Sequence, residues 1–137
     1  MEIIKFSKSE LLHALQPVLS VVERRNALPV LLNVLMTFRK NKVSFTTSDI
    51  EIQVTSILVK DDYKQNDLDL TVSARKLFEI TKSLSEAKII VLSLIQDKLV
   101  IQQEQSKFSL QTLPAKEFPL LNVGDEKNLN FTLKSDE

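Results

Sequence analysis

Two carboxylates, Asp49 and Glu51, stand two positions apart in a segment rich in β-branched residues. Alternate side chains of a strand point to the same face, so this pair could share a proton or bind a hard cation in a hydrolase. A strand entrance whose charges face solvent or pair with Lys and Arg gives the same pattern. Both interpretations follow from the residues alone.

A second acidic set consists of Asp61, Asp62, Asp67 and Asp69. Such carboxylates could bind Ca²⁺, but their spacing does not follow an EF-hand loop, and the segment has no Gly. The interpretation favoured by composition is a solvated acidic loop.

The scarcity of three residue types excludes most familiar chemistry. The chain has one His, His13, one Gly, Gly124, and no Cys. It therefore cannot build a Cys/His zinc site, a multi-histidine zinc site, a thiol nucleophile or a disulfide framework. Neither a P-loop nor a Rossmann turn fits, because both need several glycines close to phosphate. His13 has no evident Ser and Asp partners, so a helix-surface position is predicted; a carboxylate metal site or a triad built on this one His stays open.

Basic residues supply the other candidate chemistry. The guanidiniums of Arg24 and Arg25 could contact phosphates through forked hydrogen bonds, although cations at a helix C-terminus give the same pattern. Farther along, Arg75, Lys76 and Lys82 flank an apolar stripe. That arrangement is typical of a basic binding face and equally of a solvated amphipathic helix.

The charges are balanced in sum but segregated along the chain. With 18 basic and 18 acidic residues the net charge is zero, which argues against coating nucleic acid through bulk positive potential. Residues 1–43 nevertheless carry a net charge of +4, and residues 74–88 carry +2. These two blocks contain the two most helix-like segments.

Each positive block contains one predicted helix. Residues 7–10 read Ser-Lys-Ser-Glu, a capping box that begins the first helix, and apolar residues follow at helical spacing. Pro17 is expected to kink or shorten this helix, because it has no N–H for the carbonyl one turn earlier. Ser73 is the predicted N-cap of the second helix, whose stripe is Leu77, Ile80 and Leu84.

The order strand, helix, strand, strand, strand occurs twice, once in residues 1–60 and once in 68–113. The predicted strands are 2–6, 30–38, 43–46, 50–59, 68–72, 88–94, 98–103 and 107–113, with one more at 128–133. The predicted fold class is α+β: two β-α-β-β-β units that form antiparallel sheets with two helices on one side.

Two further expectations concern the chain's surroundings. No apolar run is long enough to span a membrane, and the N-terminus lacks a signal peptide, so a cytoplasmic protein without membrane partners is expected. Phe108 and Leu110 alternate with polar residues, as in a strand with one apolar face. At a sheet edge that strand could pair with another chain.

Five segments, in order and spanning nearly the whole chain, carry a family resemblance. They are 11–12 (Leu-Leu), 24–31 (Arg-Arg-Asn-Ala-Leu-Pro-Val-Leu) with Asn33, 47–51 (Thr-Ser-Asp-Ile-Glu), 72–80 (Val-Ser-Ala-Arg-Lys-Leu-Phe-Glu-Ile), and 108–114 (Phe-Ser-Leu-Gln-Thr-Leu-Pro) with 117–119 (Glu-Phe-Pro). Together they resemble the N-terminal domain of the bacterial DNA polymerase III beta subunit, the ring-shaped sliding clamp.

The resemblance implies a DNA-clamp fold and a processivity factor without catalysis or cofactor. In that family two chains of three domains close head to tail around duplex DNA and tether the replicative polymerase, so processivity comes from enclosure. It implies that residues 1–125 are the first domain, and that 126–137 are a linker and the first strand of a truncated second domain. The implied partners are double-stranded DNA, a second copy of the full-length chain, and, through absent domains, polymerase III subunits and the clamp loader.

The resemblance also assigns site residues. DNA contact is implied for Arg25 and Arg75, with Arg24, Lys8 and Lys82 as further candidates for the same wall. Ring closure is implied for Lys76, Glu79, Ile80, Leu84, Lys107, Phe108 and Leu110. Two departures stand out: Glu23 lies where many clamps have glycine, and Gln105 lies where the interface is often basic.

Two other functions remain open. One is a β-rich protein-interaction module that docks through the 108–112 edge and never touches DNA. The other is a carboxylate-metal hydrolase that uses Asp49 and Glu51.

Overall fold

The computed structural model describes residues 2–22, 33–48, 53–60, 63, 67–115 and 128–134. Within these ranges lie helices α1 (Lys8–Val22) and α2 (Ala74–Ser83) and strands β1 (Glu2–Phe6), β2 (Asn33–Arg39), β3 (Lys42–Ser48), β4 (Gln53–Val59), β5 (Leu68–Ser73), β6 (Ile90–Ile95), β7 (Lys98–Gln103), β8 (Ser106–Gln111) and β9 (Asn128–Lys134). Neither helix has the length and apolar character needed to cross a membrane.

Helix α1 begins at the predicted capping box. The Ser7 hydroxyl accepts a hydrogen bond from the Glu10 N–H at 3.1 Å, and the Glu10 carboxylate accepts one from the Ser7 N–H at 3.0 Å. Of the two effects expected of Pro17, a kink or a shorter helix, shortening does not occur, because the helix continues to Val22. Its buried stripe, made of Leu11, Ala14, Leu15 and Val18, packs on both sides of the missing hydrogen bond and holds the helix together.

Helix α2 confirms the second predicted N-cap. The Ser73 hydroxyl accepts from the Lys76 N–H at 3.3 Å. The helix ends at Ser83, where the Leu84 N–H donates to the Thr81 carbonyl at 3.2 Å. Leu77 is fully buried, so the apolar stripe faces the core as the sequence predicts.

The strands form two sheets, and the two β-α-β-β-β units exchange their first strands between them. One sheet has the order β1-β6-β7-β8, and the other has the order β5-β2-β3-β4-β9. Because β1 pairs with β6 and β5 pairs with β2, each β-α-β-β-β unit gives its first strand to the sheet of the other unit. The predicted fold class is confirmed. Neighbouring strands are antiparallel except for β9, which runs parallel to β4 and covers its edge.

One apolar core lies between the helices and the sheets. Helix α1 packs against β3, β4 and α2, and α2 also contacts β2, β5 and β8. The rings of Phe6 and Phe45 lie 6.3 Å apart in this core, and those of Phe38 and Tyr63 lie 5.7 Å apart. All four side chains are at most 1% exposed, so both aromatic pairs are fully removed from water.

Two strand boundaries differ from the sequence prediction for identifiable reasons. Strand β6 begins at Ile90 because the buried Gln103 amide holds the preceding turn: it donates to the carbonyls of Ser85 (2.8 Å) and Lys88 (3.1 Å). It also accepts from the Ser85 N–H at 2.8 Å. Strand β8 ends at Gln111 because the chain then turns towards the other sheet, where the Leu113 N–H donates to the Thr71 carbonyl at 3.0 Å.

The two hairpins of the four-stranded sheet turn without glycine. Gln96 and Glu104, the first residues of the β6–β7 and β7–β8 turns, have φ values of 56° and 53°. These are left-handed conformations that glycine adopts more readily.

Ser56 carries a buried hydroxyl that lacks a hydrogen-bond partner within the described ranges. Because a buried polar group without a partner carries a desolvation penalty, Ser56→Ala is expected to raise the free energy of unfolding by about 1 kcal/mol in urea titrations. The matched control is Thr47→Val, since the buried Thr47 hydroxyl donates to the Val18 carbonyl at 2.6 Å. That variant should lose about 1 kcal/mol; a comparable loss in Ser56→Ala would contradict the prediction.

Candidate nucleic-acid interface

Helices α1 and α2 lie side by side and present their polar faces outward. On α1 the exposed side chains include Ser9, His13 and Gln16. His13 therefore lies on the helix surface, as predicted. On α2 the exposed side chains are Arg75, Lys76, Glu79, Lys82 and Ser83. The two-helix layer thus concentrates its basic side chains on α2.

The predicted DNA-contacting residues of α2 point into solvent. Arg75 and Lys76, in its first turn, form no ion pair with any residue that the structure describes. Lys82, in its last turn, places its Nζ 5.5 Å from the centroid of the Phe78 ring, within the range of a cation–π contact. Arg75 and Lys82 therefore have guanidinium and ammonium groups at the surface, where a phosphate could reach them.

Lys8 is placed differently from the other candidates. Its Nζ donates to the carbonyl oxygens of Lys82 and Leu84, both at 2.8 Å. The ammonium thus lies at the C-terminal end of α2, and Lys8 joins the two helices. The two remaining DNA-contact candidates, Arg24 and Arg25, lie outside the described residues.

The residues predicted for ring closure come together on α2 and β8. Strand β8 is the outer strand of its sheet among the described strands, which is the position from which, on the sequence pattern, it could pair with another chain. Phe108 is 36% exposed there, with Lys107 and Ser109 exposed beside it. Helix α2 contacts this strand and contributes the exposed Lys76 and Glu79. The exposed residues of the predicted set thus lie on two elements that contact each other.

Three of the predicted closure residues belong partly or fully to the core of the domain. Leu84 and Leu110 are only 7% and 9% exposed, and the half-buried Ile80 packs against the same core. The exposed members of the predicted set are Phe108 and the charged side chains of Lys76, Glu79 and Lys107.

Sequence reasoning missed the contribution of Gln103 to this surface. Its amide fixes the turn after α2, next to an open groove lined by Ser83, Leu84, Ser85, Gln103, Glu104, Gln105 and Ser106. A glutamine at the end of a strand gives no local signal of such a contact, because its partners lie 15 to 18 positions away. The groove also includes Gln105, which stands where the resemblance implies a basic residue at the interface.

Two members of the acidic set, Asp67 and Asp69, are described by the structure, and both pair with an arginine. Arg39 contacts Asp69 through Nη1 at 2.8 Å and Asp67 through Nε at 3.5 Å. The hydrogen bond that the Arg39 guanidinium donates to the Asp69 carboxylate is the main reason that the pKa of Arg39 lies above its usual value. Within the described ranges, no three His, Cys, Asp or Glu residues are grouped so as to hold a metal ion. Asp49, Glu51, Asp61 and Asp62 fall outside those ranges.

Comparison with known proteins relates this domain to one family. The chain matches the family model described as "DNA polymerase III beta subunit, N-terminal domain" over residues 2–122. It is 39% identical over 126 residues to the beta sliding clamp of Pseudomonas aeruginosa, and this alignment covers 92% of the chain and 34% of the relative. It is also 34% identical over 119 residues to a beta sliding clamp of Vibrio harveyi, across 79% of that relative.

The fold agrees with solved structures of the same family. The crystal structure of the Pseudomonas aeruginosa DNA polymerase III subunit beta superposes with a TM-score of 0.82 at 36% identity, covering 90% of this chain and 33% of that one. This chain thus spans about a third of the length of the Pseudomonas aeruginosa protein. With its sequence matched over residues 2–122 and its fold shared, the chain belongs to the DNA polymerase III beta subunit family, in which it corresponds to the N-terminal domain.

Proposed function

We propose that the whole protein is a processivity factor: a sliding-clamp subunit that encircles duplex DNA and tethers the replicative polymerase. The observation that most supports this is the two-helix layer over exchanged sheets, which superposes on a solved DNA polymerase III beta subunit with a TM-score of 0.82. In this proposal the protein has no catalytic residues and needs no cofactor. It works in the cytoplasm, where bacterial DNA is replicated.

The proposed DNA-facing wall is the outer surface of α1 and α2. Arg75 and Lys82 extend from α2 into solvent, and Arg24 and Arg25 follow α1 in sequence. A sliding ring needs only a modestly positive wall, because many strong phosphate contacts would hold it in place. A net charge of zero, with positive charge on the two helical blocks, fits that requirement.

Ring closure is proposed to use α2 and the open edge of β8. The surface of Lys76, Glu79, Lys107 and Phe108 would meet a second full-length copy, with Ile80, Leu84 and Leu110 supporting it. An apolar contact surrounded by charges is the usual composition of such an interface. Residues 1–125 are proposed as the first domain and 126–137 as the start of the next; contacts to the polymerase and the clamp loader are assigned to the rest of the protein.

The test of the proposed function is topological. Full-length protein, loaded by the clamp loader onto nicked circular DNA, is expected to remain bound through gel filtration in high salt. Cutting the circle at one site should release it, because an encircling ring can slide off an end. Retention measured by labelled protein should fall about tenfold or more on linearisation, because enclosure no longer holds the ring on the DNA. Equal retention on circular and linear DNA would reject the clamp function.

A protein-interaction module is the second candidate, and one observation favours it: among the described strands β8 is the edge of its sheet, and it carries the partly exposed Phe108. Such a module would bind protein without needing DNA. Equal retention on the two DNA templates, together with capture of a second strand at β8, would support this alternative.

A further inference from the structure

The ammonium of Lys8 lies at the C-terminal end of the neighbouring helix. It donates to the carbonyl oxygen of Lys82, in the last turn of α2, and to that of Leu84, the C-cap residue, each at 2.8 Å. The last carbonyls of a helix have no partner within the helix and carry its negative partial charge. An ammonium with three donors satisfies two of these carbonyls and neutralises that charge.

Lys8 is unfavourably placed with respect to its own helix. It is the first residue of α1, where the helix dipole is positive and a cation is disfavoured. Glu10 offsets this through its carboxylate and the capping box. The favourable interactions of the Lys8 ammonium therefore lie on α2, which indicates that it connects the two helices.

The turn that Lys8 holds also carries a proposed DNA contact. Lys82 belongs to that turn, and its own ammonium lies over the Phe78 ring. Because Lys8 binds the backbone carbonyl of Lys82, it fixes the point from which the Lys82 side chain extends towards solvent. Two lysines close in space thus have different surroundings: one ammonium is bound to backbone oxygen, and the other lies at the surface.

We propose that Lys8 is a positioning residue of the helical wall: it clamps the C-terminal turn of α2 to α1 and so orients Lys82, instead of contacting phosphate itself. The link that Lys8 makes between the helices is inferred from its two hydrogen bonds alone. The effect of this link on DNA binding rests on the proposed function. This assignment separates Lys8 from Arg75 and Lys82, with which sequence resemblance had grouped it.

The first experiment follows amide hydrogen exchange in the full-length protein. Lys8→Met should increase the exchange rate of the amides of residues 80–84 about fivefold or more, because the end of α2 opens more often. Lys8→Arg should restore most of the protection, since a guanidinium can also donate to helix C-terminal carbonyls. Lys82→Met is the matched control and should leave the exchange rates near those of the wild type. Unchanged exchange in Lys8→Met would overturn the clamp.

The second experiment measures the salt dependence of binding to a short linear duplex by the full-length protein. Each lost phosphate contact lowers the slope of log K against log salt by about 0.9. Lys82→Met and Arg75→Met should each show that loss, while Lys8→Met should weaken binding about threefold and lower the slope by much less than about 0.9, because it loosens the Lys82 contact without removing a phosphate contact of its own. In the Lys8→Met background, Lys82→Met should have a smaller effect than in the wild type, because the two residues act through one turn.

The outcomes of the two experiments are separable. A slope reduced by about 0.9 in Lys8→Met, with unchanged exchange, would make Lys8 a phosphate contact and overturn the proposal. Unchanged slopes in all three variants would count against the DNA-facing wall of the proposed function. The exchange measurement would still decide whether Lys8 clamps α2, because it does not depend on DNA.

Discussion

Glu10→Ala is expected to lower the free energy of unfolding by about 3 kcal/mol, because it breaks a largely buried ion pair and a helix cap together. The Glu10 carboxylate lies 3.2 Å from the Lys60 Nζ, and the two side chains are only 11% and 10% exposed. The same carboxylate accepts the Ser7 N–H. Its removal leaves the Lys60 ammonium, 5.2 Å from the centroid of the Phe6 ring, without this carboxylate.

Urea unfolding followed by circular dichroism measures this effect. Glu10→Gln separates the two contributions, because its amide oxygen can still accept the Ser7 N–H but carries no charge. Glu79→Ala is the matched control: it removes a glutamate from an exposed helical position and should change stability by less than about 0.5 kcal/mol. If the free energy of unfolding of Glu10→Ala lies within about 1 kcal/mol of that of the wild type, the stabilisation assigned to the ion pair is incorrect, because a change at an exposed position alone accounts for roughly 0.5 kcal/mol.

Phe108→Lys is expected to raise the dimer dissociation constant of the full-length protein at least a hundredfold, about 2.7 kcal/mol. Phe108 lies on the outer strand β8 and is the partly exposed aromatic residue of the proposed closure surface. A lysine there would place a charge in the centre of the contact, and lysine is also a residue with which natural proteins keep sheet edges from pairing. Because Phe108 is 36% exposed, the domain itself should remain folded.

Analytical ultracentrifugation over a range of concentrations measures this dissociation. Ile89→Lys provides the control, since Ile89 is 54% exposed and precedes β6, away from the proposed surface. Both variants should retain the thermal unfolding of the wild type within a few degrees, which separates loss of the interface from loss of the fold. A Phe108→Lys dimer as tight as that of Ile89→Lys would remove β8 from the interface.

The sequence predicted the elements that depend on local signals. The capping box of Ser7 and Glu10, the N-cap at Ser73 and the apolar stripe of α1 each lie within one or two helical turns, so spacing alone reveals them. The helix continues past Pro17 because the local cost of this residue, about 3 kcal/mol, is outweighed by packing against residues distant in sequence, which no local signal reveals. The doubled order of strands was also visible, since it depends on the succession of elements.

Strand partners could not be predicted in the same way. The exchange of β1 and β5 between sheets leaves no mark on either strand, because an apolar strand pairs equally well with several neighbours. The parallel pairing of β9 with β4 is of the same kind.

The candidate site was predicted in part. The solvent-facing positions of Arg75 and Lys82 agree with the sequence, since an amphipathic pattern separates the exposed from the buried face of a helix. Alternation places Phe108 on the apolar face with Leu110, yet Phe108 is 36% exposed, because Leu110 is covered by the core and Phe108 is not. The hydrogen bonds of Lys8 could not be predicted from the sequence, because their acceptors lie 74 and 76 positions away along the chain. Spacing identifies faces of an element, whereas contacts between elements follow from the tertiary packing.

The exchange of first strands also sets an order of events during translation. Phe6 of β1 pairs with Ile90 of β6, so 84 residues separate the synthesis of the first strand from that of its partner. At about 5–20 residues per second, the interval is roughly 4–17 s. During that time Ile3, Ile4 and Phe6, all buried in the finished domain, are without their native cover. The nascent chain is therefore expected to offer its N-terminal strand to chaperones until β6 is synthesised.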